Sequence, residues 1–206
     1  GTHLITAVDR LVPLAGEFQR VALSATVKPL ETVAEFVGGF ELVRGPEGFD
    51  YRPRPVTIVR SEAVKPLELT VESARRREQA VPVWHELAQR CLEIVRRNRS
   101  TLVFTNSRRL CERICLLINE YAGRRLAYAH HGSLSREARA EVEQRFKAGE
   151  LSAIVATNSL ELGIDIGELD EVVLVGTPGS VAATIQRVGR AGHGVGETSR
   201  GVLLPI

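Results

Sequence analysis

The sequence predicts an α/β fold with a mainly parallel sheet. From Leu67 onward, short apolar runs typical of buried strands alternate with amphipathic runs of helical spacing. This alternation is typical of β-α-β units, in which right-handed crossovers join parallel strands. The chain has 206 residues, of which 44% are hydrophobic and 25% are charged. That composition indicates a globular protein with one large domain, or with one domain and a shorter segment.

The first 66 residues do not share this alternation. Thr2 to Ala15 has the apolar spacing of a helix, Arg20 to Ser24 predicts a short strand, and KPLETVAEFVGG predicts a helix that ends at glycine. Glu41 to Pro66 is rich in proline, glycine and arginine, so we expect an extended linker there. Residues 1–39 are not expected to form a lobe, because a single strand cannot satisfy its own backbone groups.

The elements after residue 66 follow in a regular order. The predicted strands are LELTVES, TLVF, RLAYA, SAIVA, EVVLV and GVLLPI. The first predicted helix is VWHELAQRCLEIVRR, and later helices begin at Ser107, Ser135, Ser159 and Ser180. Serine is a favoured residue at the start of a helix, where its hydroxyl accepts a hydrogen bond from a free backbone amide.

Small polar residues follow four of the predicted strands, in the segments TNSRR, HHGSLS, TNS and GTPGS. In a parallel sheet these segments lie along the carboxyl edge, where such folds bind ligands. Helix N-termini at that edge attract phosphate. We therefore expect a track for the phosphates of a nucleic-acid backbone, with ordinary helix capping by the serines as the alternative.

No metal site is expected. His130 and His131 are adjacent at a strand end and would point to opposite faces of the sheet. Cys111 and Cys115 lie one helical turn apart, but no further cysteine or nearby histidine completes a ligand set. The three cysteines fit a reducing compartment, and no run is long enough to span a membrane, so we expect a cytoplasmic protein without a membrane partner.

The run TIQRVGRAGHGVG carries two arginines three residues apart, Arg187 and Arg190. With Gln186, they would lie on the side of the helix opposite its apolar stripe. The stripe, which we expect to pack on the sheet, consists of Val181, Ile185 and Val188. An inserted arginine can neutralise the charge that develops in phosphoryl transfer. The sequence contains no GxxxxGK[ST] loop, so the arginines would act on a nucleotide held by another part of the protein.

Taken together, these motifs resemble those of the superfamily-two helicases. QRVGRAGH resembles motif six, ATNSLELGID resembles motif five, LVFTNSRR resembles motif four, and SAT at Ser24 to Thr26 resembles motif three. SLELGIDIG together with QRVGRAGH is most similar to the large helicase-related (Lhr) family. The order and spacing of the set are highly specific, and the resemblance covers nearly the whole chain.

The resemblance implies two RecA-like lobes of the P-loop NTPase type, each a three-layer domain, with ATP clamped between them. Residues 1–40 would be the C-terminal remnant of the first lobe, 41–66 a linker, and 67–206 the second lobe. The sequence contains no methionine, and we therefore expect a piece of a longer protein. ATP and Mg²⁺ would be held mainly by the missing first lobe, with neither bound tightly by this segment alone.

The resemblance also implies roles for individual residues. Arg190 resembles the arginine finger, and Arg187, its neighbour in motif six, would also act in catalysis. The residues that would lie near the nucleotide are Gln186, Gly163 and Asp165. The residues that would contact the nucleic-acid backbone are Asn106, Ser107, Arg108, His131, Gly132, Thr157 and Asn158. Ser24 and Thr26 of motif three would couple the two lobes.

Two functions follow from these expectations. The first is the C-terminal lobe of an ATP-dependent DNA or RNA helicase, which supplies an arginine finger, contacts single-stranded nucleic acid, and hydrolyses no ATP alone. The alternative is a stand-alone nucleic-acid-binding module with a degenerate RecA-like fold. An unrelated α/β hydrolase is disfavoured, because the sequence contains no GxSxG nucleophile motif.

Overall fold

The computed structural model describes residues 1–24, 26–46, 48–60, 65–73, 82–161, 166–192 and 197–206. The chain divides into two units, Gly1–Ala63 and Val64–Ile206. The described part of the first unit consists of helices and a β-hairpin, and that of the second is built around a parallel sheet. No described helix is long and apolar enough to cross a membrane.

The first unit contains both helices that the sequence predicts, followed by a hairpin. Its elements are α1 (Thr2–Ala15), α2 (Leu30–Gly38), β1 (Phe40–Gly45) and β2 (Gly48–Pro53). Strands β1 and β2 pair antiparallel, with Leu42 opposite Tyr51. The prediction of an extended linker from Glu41 is therefore wrong over this part. Gly48 has a φ of 138°, in the region that favours glycine, so the glycine content marks a turn instead of a linker.

Residues 20–24 are all described and form no strand, in contrast to the sequence prediction. Val21 and Leu23 are 75% and 94% exposed, so no neighbouring sheet covers the apolar residues of this run. The run is anchored at Arg20 instead, whose guanidinium donates a hydrogen bond of 2.9 Å to the backbone carbonyl of Gly38 at the end of α2. A side-chain contact, not backbone pairing, fixes this segment.

The second unit confirms the predicted α/β fold with a parallel sheet. Its strands stand in the order β3-β8-β7-β4-β6-β5, and every neighbouring pair is parallel. The strands are β3 (Leu67–Val71), β4 (Thr101–Thr105), β5 (Ala127–His130), β6 (Ala153–Ala156), β7 (Glu171–Val175) and β8 (Ser199–Leu204). The helices are α3 (Val83–Arg97), α4 (Arg108–Ala122), α5 (Arg136–Lys147) and α6 (Val181–Val188), with a short 3₁₀ helix at Asn158–Leu160.

Helices cover both faces of this sheet. Helices α3 and α4 form one core, into which Val103 of β4 points. Helices α5 and α6 form the other core, which receives Leu102 and Phe104 from the same strand. Every residue of β4 is therefore buried, which explains why its sequence is apolar throughout instead of alternating with polar residues.

Helix α6 packs on the sheet through a different side from the one predicted. Val188 is buried, but Val181 and Ile185 are 75% and 43% exposed. Arg187 was expected to face away from the sheet, yet it is only 9% exposed. The reason is local. Val188 lies against Gly201 of β8, where a Cβ atom would be 2.8 Å from it, so the end of the helix comes closest to the sheet.

Candidate functional site

The carboxyl ends of β7, β4, β6 and β5 lie side by side, so the polar segments that follow them share one edge, as predicted. Hydrogen bonds join these segments across the strands. The side-chain amide of Asn106 donates to the backbone carbonyl of Thr177 at 2.9 Å. The backbone amide of Thr157 donates to the carbonyl of His130 at 3.2 Å. We call this surface the carboxyl edge.

The serines at the carboxyl edge cap helices. The hydroxyl oxygens of Ser107, Ser135 and Ser180 accept hydrogen bonds from backbone amides three residues later, at 3.2, 3.2 and 3.1 Å. Capping was the alternative to phosphate contact, and the structure contains it. Each capping serine accepts from one backbone amide, whereas the first several backbone amides of any helix have no partner within that helix. The helix starts therefore keep the capacity to bind an anion.

The residues expected to contact nucleic acid fall into two groups by exposure. The exposed group consists of Asn106, Ser107, Arg108, Gly132 and Asn158. His131 and Thr157 are only 5% and 9% exposed, so their side chains are part of the buried structure beneath the carboxyl edge. The guanidinium of Arg108 contacts the hydroxyl of Ser133 in the next segment, which places a cation between two of the strand ends.

The two histidines point to opposite faces of the sheet, as their adjacency predicts. His130 is fully buried, with Nδ1 at 2.8 Å from the Ser159 hydroxyl and Nε2 at 2.7 Å from Glu143 of α5. His131 bonds Glu112 of α4 through Nε2 at 2.6 Å. Burial is the main cause that lowers the pKa of His130. In the part of the chain that the structure describes, no group of three or more His, Cys, Asp or Glu side chains could hold a metal ion.

Arg187 and Arg190, which lie between β7 and β8, both bind Glu161. Nε and Nη2 of Arg187 donate to the same carboxylate oxygen, Oε2, at 3.2 and 3.0 Å. Nε and Nη2 of Arg190 donate to the backbone carbonyl of Glu161 at 3.3 and 2.8 Å. Arg187 also lies over the ring of Phe104, with its Cζ 5.2 Å from the ring centroid. Sequence reasoning missed Glu161, although it is one of the two acids within SLELGID, the other being Asp165.

The turn that carries Arg190 is held by further residues that sequence reasoning missed. Nζ of Lys65 donates to the backbone carbonyls of Gly189 and Ala191 at 3.3 and 2.8 Å. The buried hydroxyl of Ser199 also donates to Ala191, at 2.9 Å. Burial lowers the pKa of Lys65 from its ordinary value. We call residues 189–192 the arginine turn. Nothing in the local sequence around Lys65 indicates this contact, because the two segments lie far apart in the chain.

One short segment connects the carboxyl edge to the arginine turn. Residues 157–161 begin at the backbone hydrogen bond from Thr157 to His130 and end at Glu161 with both arginines. Gln186 is partly buried on α6. Gly163 and Asp165, expected near the nucleotide, lie outside the described residues. Ser24 and Thr26 lie in the first unit, and the residue between them is not described.

A family model matches over half of the chain. The model is that of the helicase conserved C-terminal domain, and it matches residues 86–194. This range includes the carboxyl edge, Glu161 and the arginine turn. It begins in α3 and so leaves out the first unit.

Curated relatives are similar over the whole chain. The ATP-dependent helicase Lhr-Core protein 2 of Thermococcus barophilus is 44% identical over 100% of this chain, which covers 24% of that protein. The Lhr helicase/probable uracil glycosylase of Mycolicibacterium smegmatis is 39% identical over 100% of this chain, which covers 15% of that protein. The chain therefore spans a quarter or less of the length of these relatives.

A solved structure is similar to this chain. The structure of the Mycobacterium smegmatis helicase Lhr bound to ssDNA and AMP-PNP matches with a TM-score of 0.85 and 43% sequence identity. The match covers 98% of this chain and 26% of that one. It includes both units, each of which has its counterpart in that helicase.

Proposed function

This chain belongs to the family of helicase conserved C-terminal domains, in the Lhr group of superfamily two, and we propose that it works as one lobe of an ATP-dependent helicase. The fold of the second unit is the RecA-like fold of that superfamily. In the proposed role, the second unit contacts nucleic acid through its carboxyl edge and completes a nucleotide site through its arginine turn. A first RecA-like lobe of the same protein would hold the rest of the nucleotide.

The observation that carries this proposal is the connection between the two surfaces. Glu161 bonds both arginines, and it ends the segment that starts at the carboxyl edge beside His130. A contiguous network of hydrogen bonds and ion pairs of this kind can carry energetic coupling between a nucleotide site and a nucleic-acid site. The M. smegmatis Lhr structure is bound to ssDNA and AMP-PNP, which supports assigning the same two classes of ligand to this chain.

On the nucleotide side, we assign Arg190 as the residue that meets the γ-phosphate. A guanidinium fork suits phosphate oxygens, and an arginine placed there stabilises the charge of the transition state for phosphoryl transfer. Gln186, Gly163 and Asp165 are assigned to the surroundings of the nucleotide. The cationic turn fits a polyphosphate. We assign Mg²⁺, like the phosphate-binding loop that this sequence does not contain, to the first lobe.

On the nucleic-acid side, we assign the exposed residues of the carboxyl edge to the phosphate backbone. Asn106 and Asn158 offer amides, Arg108 offers a guanidinium, and Ser107 and Gly132 offer backbone donors. His131 and Thr157 are assigned to the support of these donors because both are buried. Contacts to phosphate and sugar fix the position of a strand but read no sequence, so we expect single-stranded DNA or RNA to be bound without strong sequence preference.

The experiment that tests the proposal compares Arg190→Ala with the unchanged full-length helicase in nucleic-acid-stimulated ATP hydrolysis. We expect kcat to fall by about 10³- to 10⁵-fold, because an arginine finger acts mainly on the transition state. The KM for ATP is expected to change much less. Unchanged hydrolysis in Arg190→Ala, with nucleic-acid binding retained, would overturn the role of the arginine turn in the nucleotide site and leave the second unit only its contacts with nucleic acid.

A second arm uses this chain alone. It lacks a Gly-Lys phosphate loop, so the purified segment is expected to hydrolyse no ATP with or without single-stranded nucleic acid. Hydrolysis above a buffer blank, abolished by Arg190→Ala, would contradict the assignment of the phosphate-binding loop to another lobe.

A further inference from the structure

The ion pair between Arg187 and Glu161 is largely withdrawn from water. Their side chains are 10% and 17% exposed, and the closest N–O distance is 3.0 Å. The guanidinium of Arg187 also stacks on Phe104, a fully buried residue of the central strand β4. Arg187 is therefore attached to the core on one side and to Glu161 on the other, which gives it a fixed position.

The placement of Arg187 carries over to Arg190. The backbone amide of Arg190 donates to the carbonyl of Arg187 at 3.1 Å, so the arginine turn starts from the residue that Glu161 holds. Glu161 acts on Arg190 a second time through its own backbone carbonyl, which accepts two hydrogen bonds from the guanidinium. One residue thus fixes both the backbone from which Arg190 extends and the direction of its side chain.

We propose that Glu161 is a positioning residue for the arginine finger, acting through Arg187 and through its own backbone carbonyl. This inference rests on the proposed function, because it takes Arg190 to be the residue that meets the nucleotide. Arg187 is then a support for Arg190 and not a second phosphate ligand, since its charge is paired with the Glu161 carboxylate away from water. The bonds from Arg190 to Glu161 go to a neutral backbone carbonyl and leave its charge to act on a phosphate. The sequence resemblance had grouped both arginines as catalytic, whereas their surroundings separate the two roles.

The test replaces Glu161 by Gln in the full-length helicase. Gln has the same length as Glu but no charge, so the substitution removes the charge that holds Arg187. The backbone carbonyl that accepts from Arg190 is still present, because every residue carries one. We expect kcat for ATP hydrolysis to fall by about 10²-fold, the size of effect that a small misplacement of a reacting group produces. KM for ATP is expected to stay nearly constant, because the lost interaction acts in the transition state. Glu161→Asp keeps the charge and should recover part of the loss.

A second buried carboxylate that is paired with an arginine provides the control, although Arg97 itself is 48% exposed. Glu171 at the start of β7 is 8% exposed and accepts three hydrogen bonds from Arg97 at 2.8 to 3.2 Å. It lies at the amino edge of the sheet, the end opposite the carboxyl edge. Glu171→Gln removes a carboxylate of comparable burial that is also paired with an arginine, so it should lower the melting temperature as Glu161→Gln does. It should leave kcat per folded molecule unchanged.

The outcomes separate the inference from the function on which it rests. Equal values of kcat per folded molecule in Glu161→Gln and Glu171→Gln would overturn the inference, because Glu161 would then serve only folding. A higher kcat in Glu161→Gln would also overturn it, since Glu161 would be withholding the arginines from the nucleotide. If Glu161→Gln does not fold, kcat per folded molecule is measured in Glu161→Asp instead and compared with that of Glu171→Gln. The proposed function fails separately, if Arg190→Ala retains full hydrolysis.

Discussion

Val188 packs directly against the backbone of Gly201, with no room for a side chain between them. A Cβ atom on Gly201 would lie 2.8 and 2.9 Å from the two methyl carbons of Val188. Nonbonded carbon atoms essentially never approach this closely, so a larger residue at position 201 has to displace the side chain of Val188. Because the arginine turn follows immediately after Val188, this contact sets the depth at which the turn sits on the sheet.

Gly201→Ala is expected to destabilise the chain. The added methyl overpacks the contact with Val188, which typically costs about 1 to 3 kcal/mol in a tightly packed core. The free energy of unfolding, measured by denaturant titration, should fall by that amount. Gly179→Ala is the matched control, because a Cβ there meets no atom within 4 Å. We expect a change of about 0.5 kcal/mol or less for the control, and equal losses in both variants would contradict the packing argument.

Arg190→Lys is expected to behave almost like Arg190→Ala in the full-length helicase. A lysine keeps the positive charge but replaces a planar fork with a point charge, so it cannot reproduce bidentate contacts to phosphate. The measurement is kcat for ATP hydrolysis at saturating nucleic acid. Recovery of most of the activity by lysine would show that charge alone is needed there, and the finger assignment would have to be abandoned.

Binding of single-stranded nucleic acid is expected to weaken steeply with salt and to depend little on sequence. Each phosphate contact releases condensed counterions, so the logarithm of the binding constant falls linearly with the logarithm of salt concentration, by about 0.7 per contact on single strands. Fluorescence anisotropy with labelled oligonucleotides at several salt concentrations measures this slope. Arg108→Ala should reduce the slope, whereas Arg99→Ala, an exposed arginine at the amino edge, should leave it unchanged. A slope near zero would count against a phosphate track.

The stability of the second unit should decrease as the pH falls below about 6.5, the ordinary pKa of histidine. Burial lowers the pKa of His130, so the unfolded chain binds a proton more readily than the folded one. The contribution of His130 to stability is therefore complete above the pKa that this histidine has in the unfolded chain. It is lost as the pH falls from that value towards the lower pKa that the histidine has in the folded chain. Glu143 and Ser159 hold the neutral ring in place.

His130→Gln isolates this contribution. The variant should be less stable at pH 8, because it disturbs the bonds to Glu143 and Ser159, but its stability should change less between pH 8 and pH 5 than that of the unchanged chain. Urea titrations across this range give the two curves. Parallel curves would mean that another group causes the acid destabilisation.

The sequence by itself determined the order of the elements in the second unit and the edge at which polar segments gather. Both are local properties. A buried strand such as β4 has to be apolar at every position, and a helix such as α4 begins where a serine can cap it, so short runs of sequence carry the information. The polar segments meet at one edge because parallel strands align their carboxyl ends. The position of Arg187 on α6, with Arg190 three residues further along the chain, could be predicted for the same reason.

The tertiary structure alone decided which side of α6 faces the core. Helical spacing predicted Val181 and Ile185 as the buried residues, but the close approach of Val188 to Gly201 puts the end of the helix and Arg187 inside. Hydrophobic periodicity assigns an inner face only when a helix lies along the sheet for its whole length. A short helix with one buried end does not meet that condition.

The contacts of Glu161 and Lys65 with the arginine turn also required the tertiary structure. Both residues contact segments that lie far away in the chain. In each case a side chain donates a hydrogen bond to a backbone carbonyl, and because every residue carries such a carbonyl, no sequence pattern marks the acceptor. In the first unit, the same limitation hid the attachment of Arg20 to Gly38 and led to the prediction of a strand. Local sequence sets which elements form, whereas long-range packing and backbone hydrogen bonds set how the functional side chains are held.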